Sequence, residues 1–251
     1  MPTVDAQGVA IHYEVEGEGP PIVLVHGFSS SYERNWRITG WTEHLTREGR
    51  QVIGLDCRGH GRSGKPHDPS AYAGFRMAED VIAVMAAAGL DRADRMGYSM
   101  GGAISLSLMV LHPSRFRSVV IGGAGLRNAA ADPQRRAVMA AGFEASDPST
   151  ITDPTALSFR RFAERSSEND LAALAALQRS DRSSADEDAL RHAHHRALAV
   201  VGEKDEAVAA VDRLMKVLPR AELVVLPGED HLSAVLAKAY KEAVSQFLGS
   251  R

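Results

Sequence analysis

The chain has 251 residues, a formal net charge of −3 at pH 7 and 24% charged residues, which is the composition of an ordinary globular domain. No basic cluster stands out, so neither nucleic acid nor an anionic membrane surface is expected as a partner. The one cysteine, Cys57, excludes an internal disulfide. Because no signal-like start and no apolar run of ~20 residues is seen, we expect a cytoplasmic location.

The first half of the chain alternates short apolar runs with helical patterns, as expected of a parallel sheet with crossover helices. Glycine or proline follows each helical pattern and ends it. The predicted strands are 9–15, 22–25, 51–55 and 95–98, and the predicted helices are 41–48, 77–88 and 100–112.

The second half continues this pattern only in part. Strands are predicted at 116–122, 197–202 and 222–226, followed by a last helix at 232–247. Residues 127–196 are rich in alanine and contain no convincing strand, so we predict a helical cap inserted into a core of residues 1–126 and 197–251. The predicted fold class is therefore α/β, a mostly parallel sheet of about eight strands with helices on both faces and a small helical cap.

Three Asp-Pro pairs within the predicted cap indicate helix starts. In each pair the acid would be the N-cap and the proline would take the first helical position, where its missing N–H is not needed. These pairs are Asp132-Pro133, Asp147-Pro148 and Asp153-Pro154.

The most informative local motif is Gly97-Tyr98-Ser99-Met100-Gly101, which follows a predicted strand and precedes a predicted helix. A nucleophilic serine in this position sits in a tight, strained turn, and glycine fits where the turn leaves no room for a Cβ. By chance the pattern arises in roughly one such chain in seven, so the context has to support it.

A serine hydroxyl needs a base and a group that orients that base. His231 follows the last predicted strand and Asp205 the preceding one, so both are expected at the carboxyl edge of the sheet. Glu203 and Glu206 are alternative acids because they neighbour Asp205. Two further acids are weaker alternatives: Asp132, the first carboxylate after strand 116–122, and Asp230, whose place next to the histidine disfavours an orienting contact.

With these residues in this order, the chain resembles the α/β-hydrolase fold superfamily, on its esterase and enol-lactone hydrolase side. The matching landmarks, in chain order, are His26-Gly27-Phe28, the loop Asp56-Cys57-Arg58-Gly59-His60-Gly61-Arg62-Ser63, the serine motif, Asp205 and His231.

The resemblance implies acyl transfer in two steps without a cofactor. Ser99 would attack a carbonyl, His231 would relay the proton, and Asp205 would orient the imidazole. The backbone N–H groups of Phe28 and Met100 would hold the oxyanion.

Several other histidines are interpreted without a chemical role. His26 is expected to brace the loop before Phe28, and Asp56 to make hydrogen bonds within its own loop. His192, His194 and His195 suggest a metal site at first, but no cysteine or carboxylate completes a set. We therefore predict a solvated helix face there, and neither a metal site nor a nucleotide site is expected.

The leading hypothesis is a serine hydrolase acting on esters, thioesters or lactones of small, mostly apolar acyl groups. Serine as the nucleophile argues against dehalogenases and epoxide hydrolases of this fold, which use a carboxylate there. Carbon–carbon bond hydrolysis and cofactor-free perhydrolase or haloperoxidase activity share the triad and stay open. A receptor that retains the fold and binds a ligand without turnover is the alternative outside enzymes.

Overall fold

The computed structural model describes residues 2–126 and 132–249. Within these ranges eight strands form one sheet, in the order β1-β2-β4-β3-β5-β6-β7-β8. The strands are β1 (Thr3–Ala6), β2 (Val9–Glu16), β3 (Pro21–Val25), β4 (Gln51–Leu55), β5 (Ala93–Tyr98), β6 (Phe116–Gly122), β7 (Arg196–Gly202) and β8 (Ala221–Leu226).

The sheet is antiparallel at one end and parallel over the rest. β2 pairs antiparallel with both β1 and β4, whereas every pairing from β4 through β3 to β8 is parallel. Parallel strands end at the same edge, so the residues that follow β3, β5, β7 and β8 meet there. The predicted α/β class with a mostly parallel sheet is confirmed.

Helices cover both faces of the sheet. In chain order, the α-helices of the described residues are α1 (Trp41–Arg47), α2 (Arg76–Ala87), α3 (Met100–Leu111), α4 (Asp132–Glu144), α5 (Pro154–Glu164), α6 (Leu171–Arg179), α7 (Glu187–Arg191), α8 (Val208–Met215) and α9 (Lys238–Gly249).

Strand β3 explains how one run of aliphatic residues fills two cores. Successive side chains of a strand point to opposite faces. Val23 and Val25 accordingly belong to the cluster that includes α2 and α3, while Ile22 and Leu24 belong to the cluster that includes α1 and α9. All four are fully buried, which is why this strand is a continuous apolar run rather than an alternating one.

Two element predictions need correction. Strand β1 was not predicted, and it forms because its backbone pairs with β2. The last helix begins at Lys238, not at residue 232, because Ala237 has an extended backbone with ψ of 129°. The Val235 carbonyl just before it accepts a hydrogen bond of 2.7 Å from the Trp41 indole.

The segment between β6 and β7 contains α4 to α7 and, among its described residues, no named strand. Asp153 is the N-cap of α5 and accepts a hydrogen bond of 2.7 Å from the Ala156 N–H. Asp147 caps only a short 3₁₀ turn. α4 begins at Asp132, but that side chain and residues 127–131 lie outside the described part of the chain. The division into core and cap therefore stays a prediction.

Over the ranges that the structure describes, no helix combines the length and the apolar character that a bilayer-spanning helix needs.

Candidate active site

Ser99 lies in a tight turn between β5 and α3. Its φ is 53°, in the left-handed region that a residue with a side chain rarely adopts, and its N–H donates to the Gly122 carbonyl at 2.7 Å. A Cβ at Gly97 would lie 2.1 Å from the Gly101 carbonyl oxygen, and one at Gly101 would lie 2.0 Å from the Val25 oxygen. Both glycines are therefore required for β5, α3 and β3 to approach so closely.

His231 and Asp205 meet Ser99 at this edge of the sheet. Nε2 of His231 lies 3.0 Å from the Ser99 hydroxyl oxygen, and Nδ1 lies 2.8 Å from a carboxylate oxygen of Asp205. The Asp205 side chain is fully buried, and that of His231 is 25% exposed. The second Asp205 oxygen accepts a hydrogen bond of 2.8 Å from the Ala207 N–H, so the carboxylate is fixed from both sides.

The two glutamates beside Asp205 make other contacts. Glu203 accepts a hydrogen bond of 2.8 Å from the Gly228 N–H. Glu206 pairs with Arg135 at 3.1 Å. Neither forms a hydrogen bond with His231 among the described residues.

Asp230 stabilises the turn in which His231 lies. One of its carboxylate oxygens accepts hydrogen bonds of 2.9 Å from the N–H groups of Leu232 and Ser233. These backbone bonds, above all that from Ser233, lower the pKa of Asp230. The carboxylate acts on the backbone of the turn, whereas Asp205 contacts the imidazole.

Tyr98 is a contact of this site that sequence reasoning missed. Its hydroxyl donates a hydrogen bond of 2.6 Å to the His231 carbonyl. Burial raises the pKa of Tyr98, and the charges of Asp205 and Asp230 raise it further, so the phenol keeps its proton. The only sequence signal was its place inside the serine motif.

The loop before Phe28 is braced by His26. Nε2 of His26 accepts a hydrogen bond of 2.9 Å from the Cys57 N–H, so Nδ1 carries the proton that it donates to the Gly27 carbonyl at 2.7 Å. Burial lowers the pKa of His26, which keeps the ring neutral in this role. The Asp56 carboxylate accepts the Arg62 N–H at 2.9 Å, which is the bond within its own loop that was expected, and it also accepts the Tyr32 N–H at 2.7 Å from outside that loop.

This bracing places the Phe28 backbone beside the serine. A Cβ built on Gly27 would lie 3.5 Å from the Ser99 Cβ. Across residues 2–126 and 132–249, the backbone N–H groups of Phe28 and Met100 donate to no backbone oxygen. Met100 opens α3, so its N–H lies at the positive end of that helix.

A cavity of about 340 Å³ opens onto Ser99 and His231. Its opposite wall comes from α5, and the lining is mostly apolar. Aromatic rings dominate it: Phe28, Phe159 and Phe162. The ring of Phe28 contacts Phe159 with centroids 5.9 Å apart, so the loop and α5 meet across the cavity.

The histidines near residue 193 do not lie on a helix, contrary to the prediction. α7 ends at Arg191, and His194 and His195 lie in an irregular segment that leads into β7. His192 ends the helix and its Nδ1 donates to the Asp188 carbonyl at 2.8 Å. In the described part of the chain no group of three metal-ligating side chains gathers here or elsewhere.

A comparison with protein families decides the relationship. The profile described as the alpha/beta hydrolase fold matches residues 20–237. The chain belongs to the alpha/beta hydrolase fold family.

Curated relatives within this hydrolase family have several activities. The chain is 32% identical over 238 residues to a dihydrolipoyllysine-residue acetyltransferase component of an acetoin cleaving system from Pseudomonas putida, which covers 88% of this chain and 61% of that protein. It is 34% identical over 118 residues to a 2-hydroxymuconate semialdehyde hydrolase from Pseudomonas putida, covering 47% and 41%. The chain thus spans less than two thirds of these relatives.

Solved structures agree over almost the whole chain. An N-acyl homoserine lactone degrading enzyme has a TM-score of 0.74 and 28% identity, covering 98% of this chain and 100% of that one. The enol-lactonase from Burkholderia xenovorans LB400 has a TM-score of 0.80 at 24% identity, covering 99% and 100%; this second likeness concerns the fold alone.

Proposed function

We propose that this alpha/beta hydrolase cleaves carboxylic esters, including cyclic ones, of small and largely apolar acyl groups through an acyl-serine intermediate. One observation carries the proposal. A single imidazole, that of His231, lies 3.0 Å from the Ser99 hydroxyl on one side and 2.8 Å from the Asp205 carboxylate on the other. This is the geometry that converts a serine into a nucleophile at neutral pH.

In the acylation half-reaction, the Ser99 oxygen attacks the substrate carbonyl carbon while Nε2 of His231 takes the hydroxyl proton. Asp205 stabilises the imidazolium that forms, and it also keeps the proton of the neutral ring on Nδ1. The tetrahedral intermediate then collapses, the ester C–O bond breaks, and Nε2 gives its proton to the leaving alkoxide. An alcohol departs from an open-chain ester, whereas in a lactone it stays attached to the acyl group.

In the deacylation half-reaction, water takes the place of the alcohol. Nε2 of His231 removes a proton from the water as its oxygen attacks the acyl-serine carbonyl. Collapse of the second intermediate breaks the bond to Ser99, which recovers its proton from the imidazolium. The acid is released and the protein returns to its starting state.

We propose that the backbone N–H groups of Phe28 and Met100 stabilise the negatively charged oxygen of both tetrahedral intermediates. Neither N–H donates to a backbone oxygen within the described ranges, and Met100 adds the positive end of α3. A lost donor of this kind typically costs ~10²- to 10³-fold in turnover. The bracing of Gly27 by His26 would therefore matter for rate although His26 performs no chemistry.

The preference for apolar acyl groups rests on the cavity. Three phenylalanines line it, and its volume of about 340 Å³ suits a small substrate. The lactone part of the proposal is supported by the similarity to an N-acyl homoserine lactone degrading enzyme, whose structure aligns with 98% of this chain at 28% identity. Opening of an epoxide through an ester intermediate needs a carboxylate nucleophile, and here His231 faces a serine.

Carbon–carbon bond hydrolysis is the second candidate. It is favoured by the 34% identity to a 2-hydroxymuconate semialdehyde hydrolase over 118 residues. The same three side chains would serve that reaction, so the distinction must come from substrates rather than from the triad.

Active-site labelling tests whether a nucleophile exists at all. A fluorophosphonate probe should label the wild-type protein and Ser158→Ala, and it should not label Ser99→Ala. Ser158 is a matched control because it lines the same cavity and is exposed. If the folded wild-type protein were not labelled, the enzyme hypothesis would be wrong and a ligand-binding protein without turnover would replace it.

A substrate series then separates the hydrolases. We expect turnover of short-chain p-nitrophenyl esters and of lactones, and no turnover of a vinylogous ring-cleavage diketone. If protein that reacts with the fluorophosphonate probe hydrolysed only the diketone, the ester proposal would be wrong. Carbon–carbon bond hydrolysis would then replace it as the proposed function.

A further inference from the structure

A second cavity lies at the other edge of the sheet, and its charge is unlike that of the cavity at Ser99. It measures about 460 Å³ and is lined by the amino ends of β5 and β6, the end of α3 and the segment before β7. We call it the amino-edge pocket. The lining residues that carry the argument are Arg92, Arg117, His194, His195, Met109 and Phe116.

The polar lining of the amino-edge pocket is basic. Among its described lining residues there is no aspartate or glutamate. The nearest carboxylate partner of Arg117 is Asp94 at 3.5 Å, and Asp94 already pairs with Arg50 at 2.9 Å. One carboxylate thus pairs with two arginines, while the exposed Arg92 makes, among the described residues, only a weak contact of 3.4 Å with the Phe116 carbonyl.

A buried arginine adds positive charge from behind the pocket. Arg95 is fully buried and its guanidinium stacks on Phe116, 3.9 Å from the ring centroid. One nitrogen donates to the Ser105 carbonyl at 2.7 Å, but Nε and Nη1 have no partner among the described residues. No carboxylate in those residues pairs with it, so its charge is not balanced locally, which is unusual for a buried ion.

The surroundings of His195 show the same excess of positive charge beside the amino-edge pocket. Its Nε2 donates to the Pro113 carbonyl at 2.8 Å, and its buried Nδ1 has no partner among the described residues. Burial lowers the pKa of His195, the Pro113 hydrogen bond opposes this, and the neighbouring charges of Arg95, Arg92 and His194 lower it further. An anion in the pocket would relieve this repulsion.

We propose that the amino-edge pocket binds a small organic anion, whose carboxylate or phosphate contacts Arg92 and Arg117 and whose apolar part packs on Met109 and Phe116. Carboxylate and phosphate share the chemistry that guanidinium groups recognise. The apolar part of the lining distinguishes this ligand from a free inorganic ion. Because β5 separates the two edges, the pocket lies about 20 Å from Ser99 at ~3.3 Å per residue, and the inference stands apart from the proposed hydrolase activity.

The test uses the whole protein with four probes: benzoate, phenyl phosphate, inorganic phosphate and neutral benzamide. Calorimetry gives the affinities, and amide NMR shifts locate the site. We expect benzoate or phenyl phosphate, whichever head group is preferred, to bind at least ~10-fold more tightly than benzamide and inorganic phosphate. The amides of Ala189 and Ala193, which line the pocket, should shift while that of Leu232 at the other cavity does not.

The variant Arg92→Gln should weaken binding of the preferred probe at least ~10-fold. The exposed Arg47, paired with Glu43 on α1, provides the matched control, since Arg47→Gln changes the net charge equally and should leave binding unchanged. His194→Gln is a second exposed variant that should also weaken binding, in case the first perturbs the fold.

Three results with the wild-type protein would overturn the proposal. They are the absence of binding by either aromatic anion at millimolar concentration, equal binding of benzamide or inorganic phosphate, and shifts confined to residues around Ser99. Equal weakening of binding by Arg92→Gln and Arg47→Gln would also overturn it, because the effect would then come from the net charge of the protein and not from the pocket. None of these results depends on whether Ser99 is a working nucleophile.

Discussion

The two walls of the cavity at Ser99 are built in different ways. On the sheet side, backbone turns and hydrogen bonds of 2.6–3.0 Å hold Tyr98, Ser99, Asp205 and His231. On the side of α5, the surface consists of side chains such as Phe159 and Phe162, which no hydrogen bond orients. Under the proposed function, we therefore expect the reacting groups at the sheet edge and the selection of substrate at α5.

The helices around α5 are tied both to one another and to the sheet side. Arg160 is buried and donates to the carbonyls of Gly142 and Phe143, both at 3.1 Å, which joins α5 to α4. Links to the sheet side include the Asn169 amide, which donates to the Ser29 carbonyl at 3.1 Å. Because α5 lines the cavity but contributes none of the three triad side chains, substitutions in α5 should alter selectivity more readily than they alter the proposed reacting groups.

The sharpest test of the sheet-side wall compares two aspartates. Asp205→Asn should lower kcat for ester hydrolysis by about 10³-fold or more, because the amide no longer stabilises the imidazolium or its tautomer. Asp230→Asn should change kcat less than ~3-fold, since asparagine can still accept the backbone hydrogen bonds of the turn. Steady-state kinetics with p-nitrophenyl esters measure both variants, with thermal unfolding as a check on folding. A larger loss for Asp230→Asn would mean that the acid has been misassigned.

The α5 wall is tested by Phe159→Ala. Removal of the ring enlarges the cavity, so kcat/KM for short acyl esters should fall about 10-fold while that for longer esters falls less or rises. Leu157→Ala on the same helix, outside the cavity lining, should leave the ratio between short and long esters unchanged. The measurement is kcat/KM over a graded ester series. Equal losses at every chain length would remove α5 from the selection of substrates.

The smallest effect is expected at the junction between the tyrosine and the histidine turn. Tyr98→Phe removes the hydrogen bond to the His231 carbonyl, which should cost about 1 kcal/mol of unfolding free energy and a few-fold in kcat. Tyr240→Phe is the control, because its buried hydroxyl has no partner in the described part of the chain and its loss should be neutral. Urea denaturation measures the unfolding free energy of both variants, and steady-state kinetics measure their kcat. Identical behaviour of the two would show that Tyr98 has no positioning role.

Much of the sheet-side wall could be predicted from the sequence, for reasons of topology. The serine motif is local, and Asp205 and His231 each follow a strand whose carboxyl end must lie at the same edge. Geometry then brings them to within hydrogen-bonding distance. Their catalytic roles stay predictions until the variants are measured.

The remaining features depend on contacts between distant parts of the chain. The segment just before the last helix is held by a hydrogen bond from the Trp41 indole, 194 residues away, to the Val235 carbonyl, and no local pattern encodes that bond. The spacing of the histidines around residue 194 predicts that they share one face of a helix, yet α7 ends at Arg191. Likewise, the bond from Tyr98 to the His231 carbonyl joins residues 133 apart.

The glycines around Ser99 also constrain how this protein can evolve. A methyl group at Gly101 would meet the Val25 oxygen at 2.0 Å, and one at Gly97 would meet the Gly101 oxygen at 2.1 Å, so alanine at either position would force α3 away from β3 or β5. Random mutagenesis should retain glycine at both positions among folded survivors. Diversification toward new substrates would then proceed through residues such as Phe159, while the turn at Ser99 is inherited unchanged.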